Sequence, residues 1–238
     1  MTAQATHGRM ITLCGIDGSG KTTQTRLLAR RAEGEGLSVR TVSFPRYGQG
    51  FFAEVAERYL RGEFARRAGD VDPRLAALPY ALDRWQAAPE LRRWLAAGGL
   101  VLCNRYVAAN MAHQGSKLSS ADERAAFYRW VAELEYDVLA LPRPDVQVLL
   151  DVPASVAAGL VRGRDEQAGQ TVGGDIHEGD LPYLEATARA YREVAARTAG
   201  PWATVECVEA GRLMAPERIA ERVWAAVRDV ARGIISQG

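Results

Sequence analysis

The chain contains one stretch that leaves few folds open: Gly15-Ile16-Asp17-Gly18-Ser19-Gly20-Lys21-Thr22 fits G-x-x-x-x-G-K-[ST] at every fixed position. Its flanks are the ones the pattern requires. The apolar run Met10-Ile11-Thr12-Leu13-Cys14 precedes it with the character of a buried strand, and Thr22 to Arg31 follows with helical spacing, burying Leu27 and Leu28. Glycines let such a loop curl until successive backbone N–H groups point inward. That concavity, at the positive end of a helix dipole, holds a polyphosphate. Lys21 can reach the terminal phosphates and the Thr22 hydroxyl can ligate Mg²⁺. The loop therefore implies a bound nucleoside triphosphate and leaves the phosphate acceptor open.

Around this loop the chain alternates. Strand candidates are Met10–Cys14, Ser38–Ser43, Leu100–Cys103, Val146–Asp151 and Thr204–Val208. Helical patterns fall near 20–34, 51–61, 73–97, 120–139, 154–163, 180–199 and 216–232. The alternation predicts an α/β domain with three layers, a five-stranded parallel sheet flanked by helices. With 238 residues and no linker-like segment, the chain reads as a single domain, preceded by a polar tail at 1–9. Ser120-Ala121-Asp122-Glu123 has the capping-box pattern and opens a helix that should bury Phe127, Val131 and Leu134. Pro216 suits the first turn of the last helix and Gly233 its end. Residues 165–180 are rich in Gly, Asp and Gln and follow two arginines, Arg162 and Arg164, which extend the region to 162–180. They read as a small mobile lid beside the phosphates.

Charge and cysteine content narrow the function classes. A net charge of +1 gives no footprint for a nucleic-acid partner. No apolar run approaches the ~18 residues of a membrane span. Cys14, Cys103 and Cys207 lie far apart with no C-x-x-C pair, so they read as buried thiols in a cytoplasmic protein rather than a metal cluster.

Phosphoryl transfer asks for cations around the transferring group and an acceptor held in line. Ligands of open α/β sheets bind at the carboxyl ends of the strands. Four places supply arginine there. Phe44-Pro45-Arg46-Tyr47-Gly48 follows the second strand candidate. In Tyr80-Ala81-Leu82-Asp83-Arg84-Trp85, Tyr80 and Arg84 share a helix face and can stack a base and bond its edge. Asn104-Arg105-Tyr106 ends the third strand candidate, with Asn110 and His113 spaced to return to the same face. Arg162-Gly163-Arg164 borders the suspected lid. Taken singly, each also fits a solvated turn or a packed aromatic.

Taken together and in order, these segments resemble the thymidylate kinase family of P-loop nucleoside monophosphate kinases. The matching pieces are the phosphate loop through Thr23, Phe44-Pro45-Arg46-Tyr47-Gly48, Tyr80-Ala81-Leu82-Asp83-Arg84, Arg105-Tyr106-Val107-Ala108-Ala109-Asn110, Leu141-Pro142-Arg143-Pro144-Asp145 and Asp175-Ile176-His177-Glu178. The resemblance implies transfer of the γ-phosphate of Mg·ATP to dTMP. Residues 15–23 (Gly15, Ile16, Asp17, Gly18, Ser19, Gly20, Lys21, Thr22 and Thr23) would hold ATP. Asp17 would bind the acceptor's 3′-hydroxyl or organise water on Mg²⁺. Phe44, Tyr47 and His113 would border the acceptor. Arg46 and Arg105 would hold its phosphate. Tyr80 would stack on thymine, with Arg84 and Asn110 on the base edge. Thr22 and Glu178 would serve the metal. Gly18 and Ser19 bring no basic residue into the loop, so the catalytic cations should be Lys21, Arg105, Arg162 and Arg164. The resemblance also implies a homodimer.

Three departures from the family pattern stand out. Asn104 replaces the usual Asp of the Asp-Arg-Tyr/His motif, keeping the shape and losing the charge. His113 stands where some members carry a tyrosine that disfavours a 2′-hydroxyl. Residues 165–175 carry fewer arginines than is common. Two rival readings remain open on sequence alone: a kinase of the same fold for another monophosphate or a deoxynucleoside, and a nucleotide-dependent switch with slow hydrolysis.

Overall fold

Strand β1 (Arg9–Cys14) runs almost wholly apolar after Arg9 because it is covered on both faces: Met10, Ile11, Thr12, Leu13 and Cys14 have no exposed surface. It lies at the centre of a five-stranded sheet whose order is β2-β3-β1-β4-β5, with β2 (Val39–Ser43), β3 (Leu100–Asn104), β4 (Val146–Asp151) and β5 (Trp202–Glu206). All four pairings are parallel. The computed structural model describes residues 7–64, 70–160 and 181–233. Helices α1 (Lys21–Gly34), α2 (Phe51–Leu60), α3 (Pro73–Ala96), α4 (Val107–Gly115), α5 (Ala121–Ala132), α6 (residues 154–160), α7 (Leu181–Arg197) and α8 (Pro216–Ala231) connect and cover the strands. The three-layer α/β reading holds.

Local signals fix several boundaries. The capping box of α5 is formed in both directions, Glu123 N–H to Ser120 Oγ and Ser120 N–H to Glu123 Oε2, each at 3.3 Å. Pro216 opens α8, and Gly233, at φ 72°, follows its C-cap. Asp72 caps α3 by accepting from the Arg74 N–H at 2.7 Å.

Four expectations need correction. The run 107–115 is helical although no helix was predicted there. Eight of its nine residues are buried, so it has no polar stripe to produce a 3.6-residue period. β5 starts two residues earlier than predicted and stops at Glu206. Cys207 donates its N–H to the Asp151 carbonyl, and Val208–Glu209 pairs with Arg212–Leu213 as a short hairpin. The helix expected to run to 139 ends as α at Ala132 and continues as a π-helical turn, Glu133–Val138. That turn brings Glu135, not Leu134, fully inside. Finally, the last residues of the polar tail belong to the fold: Arg9 opens β1 and the Gly8 N–H donates to the Leu95 carbonyl at 2.8 Å. The lid expected at 162–180 lies outside the described residues.

Candidate active site

The loop after β1 folds as its glycines require. Gly18 has φ 80°, and a Cβ there would stand 2.4 Å from the Ala157 carbonyl oxygen of α6. Only glycine fits both demands, so the loop cannot carry a basic side chain at this position. Lys21, the first residue of α1, is buried. Its ammonium donates to the Ile16 carbonyl at 2.7 Å and to Ser19 Oγ at 3.4 Å, holding a positive charge over the loop. Gly18 through Gln24 line a cleft of about 900 Å³, closed on its far side by apolar Leu160, Leu213, Pro216 and Ile219. A cradle of N–H groups and one ammonium, opening onto apolar surface, suits a polyphosphate joined to a nucleobase.

A second cavity of about 580 Å³ adjoins the first. Asp17 and Arg105 belong to both linings and form the wall between them. Phe44, Tyr47 and Tyr80 supply aromatic surface to the second cavity, while Arg84, Asn110 and His113 supply polar groups. α4 brings Asn110 and His113 together on one face, as their spacing predicted. Tyr183 of α7 also borders the cavity.

Arg105 sits at φ 65°, a conformation that costs a non-glycine residue, and its N–H is fixed to the Leu13 carbonyl at 2.9 Å. That backbone turn delivers the guanidinium to the dividing wall. There it pairs with Asp17 and, at 3.4 Å, contacts His113 Nε2. The other ring nitrogen of His113 lies 2.8 Å from Tyr183 Oη. Burial opposes the charge on Asp17, but Arg105 and then Lys21 overcome it and hold the carboxyl well below the usual carboxylate range. Burial likewise works against Arg105, and Asp17 raises its pKa further above the ordinary arginine value.

Two carboxylates that sequence reasoning passed over organise the remaining arginines. Asp83 is fully buried and accepts from the Arg46 backbone N–H and Nε–H, both at 2.9 Å, while Arg46 Nη2 donates to the Asp83 carbonyl at 3.2 Å. Arg46 is therefore anchored beside the acceptor cavity and lines its neighbour instead. Glu135 is fully buried. It accepts from Arg84 Nε at 2.6 Å, Arg84 Nη2 at 2.7 Å and Asn110 Nδ2 at 2.9 Å. Asn110 Nδ2 also donates to the Ala77 carbonyl at 3.1 Å, and Asn110 Oδ1 is buried without a partner. A signal for Glu135 was present: it continues the Phe127, Val131 spacing, so a charge falls on the apolar face. Asp83 stood next to Arg84 with no such mark.

For a magnesium ion the donors are hard oxygens. Asn104, nine-tenths buried, donates from Nδ2 to Thr22 Oγ1 at 3.2 Å, and its Oδ1 is buried without a partner. Thr22 and Asn104 both line the phosphate cleft. Among the described residues no three His, Cys, Asp or Glu side chains cluster as a metal site. A nucleotide-bound Mg²⁺ takes most of its oxygens from phosphates and water, and the protein oxygens here that could join them are Thr22 Oγ1 and Asn104 Oδ1. Arg162, Arg164 and Glu178 lie outside the described residues.

The sequence profile of the thymidylate kinase family matches residues 13–207. The chain belongs to the thymidylate kinase family. Its curated relatives include the thymidylate kinase of Mycobacterium tuberculosis (strain ATCC 25618 / H37Rv), 37% identical over 210 residues that cover 87% of this chain and 95% of that protein. Another is the thymidylate kinase of Thermomicrobium roseum, 31% identical over 223 residues, 93% of this chain and 95% of that protein. Within this family framework, Asp83 and Glu135 are the buried groups that hold Arg46 and Arg84 of the motif segments.

Proposed function

We propose that the chain transfers the γ-phosphate of ATP to dTMP, giving ADP and dTDP, and that the two adjoining cavities hold the two nucleotides. The observation that carries this reading is the shared wall of Asp17 and Arg105: one guanidinium faces both linings, where a phosphoryl group passing between them would cross. The phosphate loop and Lys21 hold the donor's phosphates. Phe44 and Tyr80 border the acceptor's base, and Arg84 and Asn110 meet its edge. Arg105 holds the acceptor phosphate, while Arg46 stands beside the cavity, tied to Asp83. An oxygen of that phosphate forms the new bond to phosphorus as the bond to ADP breaks. This oxygen is already ionised, so no side-chain base is needed, and Asn104 costs the reaction no proton acceptor. Arg162 and Arg164 supply charge from the lid. Mg²⁺, held by Thr22 with Asn104 and served by Glu178, would neutralise the β- and γ-phosphates.

Three buried, unbridged thiols support a reducing, cytoplasmic setting. No helix among the described residues is long and apolar enough to cross a membrane. Exposed Leu75 and Trp85 on α3 offer apolar surface for a homodimer, which sedimentation tests. A coupled assay across nucleoside monophosphates tests the reaction. Turnover is expected with dTMP and ATP, with ATP consumption low when no acceptor is present. Better turnover of another monophosphate, or hydrolysis independent of any acceptor, refutes the assignment.

A further inference from the structure

An ion pair buried under a binding cavity needs a reason. Replacing such groups by apolar residues is commonly neutral or stabilising, so stability alone gives no account of Glu135. Geometry does. Glu135 takes Arg84 along one edge, through Nε and Nη2, and Arg84 Nη1 makes no hydrogen bond among the described residues. The same carboxylate, with the Ala77 carbonyl, occupies both hydrogens of Asn110 Nδ2. An amide whose nitrogen is committed twice can present only its oxygen. Asn110 Oδ1 has no partner, and both residues line the acceptor cavity. The pair therefore keeps one uncommitted donor, Arg84 Nη1, and one uncommitted acceptor, Asn110 Oδ1, for a base edge in that cavity.

We infer that Glu135 is a specificity-determining positioning residue, fixing Arg84 as donor and Asn110 as acceptor so that the cavity accepts a 4-oxo, N3–H pyrimidine edge and rejects a 4-amino one. The inference rests on the acceptor reading above. A 4-oxo pyrimidine presents O4 to Arg84 and N3–H to Asn110. A 4-amino pyrimidine turns both contacts into mismatches, donor against donor at C4 and acceptor against acceptor at N3. The 5-methyl group plays no part in this discrimination. Glu135 sits in the π-helical turn Glu133–Val138, a local departure from the α-helix of the kind often found near functional sites. With a neutral amide at position 135, one of its N–H groups would face the donors of Arg84 or Asn110, and the fixed polarity would be lost.

The test compares dTMP with 5-methyl-dCMP, which keeps the methyl group and inverts the edge, using the full chain with Mg·ATP. The unsubstituted enzyme should prefer dTMP by ~100-fold or more in kcat/KM, since a site built to hydrogen-bond one edge rejects its mismatch strongly. Glu135→Gln should raise KM for dTMP by ~10-fold and shrink the preference by at least as much, leaving KM for ATP unchanged. Glu135→Asp, which keeps the charge on a shorter stem, should fall between. A purely structural carboxylate would lower the melting temperature and leave the preference intact. The inference is overturned if the unsubstituted enzyme uses both nucleotides alike, or if either folded variant keeps the original preference. The first of these needs no variant to fold. Failure of the unsubstituted enzyme to use dTMP at all would sink the acceptor assignment instead.

Discussion

Removing Arg105 separates what its side chain does for catalysis from what its backbone costs the fold. Arg105→Ala deletes the guanidinium on the dividing wall and leaves the backbone at φ 65°. Loss of one positioned cation from a transferring group typically costs ~10²–10³ in kcat. The Asp17–Arg105 pair is about a quarter exposed on both sides, 27% and 23%, so its loss should cost only ~1 kcal/mol of stability. Arg105→Gly deletes the same side chain and also relieves the left-handed backbone, so it should be ~1 kcal/mol more stable than the alanine variant and equally inactive. The two variants should therefore split in urea melts and coincide in steady-state assays. The pH dependence carries a further sign. Arg105 holds the folded-state pKa of Asp17 below its unfolded value of ~3.9, so the pair stabilises the fold fully above that pH and progressively less below it. The stability gap between the unsubstituted protein and Arg105→Ala should accordingly narrow as pH falls from neutral toward 3. A kcat within ~10-fold of the original would remove Arg105 from the transferring group. A gap that widens in acid would refute the charge assignment of Asp17.

Three further outcomes are expected. Asn104→Asp should lower the Mg²⁺ concentration that half-saturates turnover and tighten Mn²⁺ binding in the presence of ADP, because it adds a charge where Asn104 Oδ1 has no partner. Gly18→Arg should not transfer the lid's charge into the loop: a Cβ meeting the Ala157 carbonyl at 2.4 Å, at φ 80°, should cost more than ~2 kcal/mol and raise KM for ATP, read by thermal melts and kinetics. Burial pulls Lys117 down to about 8, so the fold binds fewer protons than the unfolded chain between about pH 8 and ~10.4, and stability should rise with pH across that window. Lys117→Met should flatten that rise in urea titrations, although it gives up the bonds to Tyr59 Oη and Gln114 Oε1.

The sheet was legible because parallel strands buried on both faces write themselves as apolar runs, and Met10–Cys14 of β1 and Val148–Leu150 of β4 do so. The phosphate loop was legible for a different reason: its glycines answer to backbone geometry that few other sequences satisfy. What was lost had little local contrast. Helix α4 is buried all round, so Val107 to Gly115 shows no stripe. The hairpin at Val208–Leu213 pairs only two residues a side. At the site, Arg46, Arg84 and Arg105 could be named from their positions after strands and on a helix face. Their partners could not, because Asp83 lies 37 residues from Arg46, Glu135 51 from Arg84 and Asp17 88 from Arg105. Glu135 is the exception that left a trace, a charge in register with Phe127 and Val131.

Those partners also bear on the rival reading of a slow nucleotide switch. A switch needs one nucleotide cleft and a water path to the γ-phosphate. This chain has a second cavity against the first, and it commits two fully buried carboxylates to that cavity's side: Asp83 under Arg46 and Glu135 under Arg84. Burying a charge is expensive unless it is paired, and each of these is paired with a guanidinium beside the acceptor space. Such ordering does nothing for hydrolysis, because water needs neither a base edge nor a phosphate clamp. It does lower the cost of holding a second nucleotide in line, where positioning supplies most of the rate in phosphoryl transfer. If the acceptor side is organised for that purpose, a non-transferable acceptor analogue should exclude water and slow ATP hydrolysis. An analogue that accelerates hydrolysis would favour the switch.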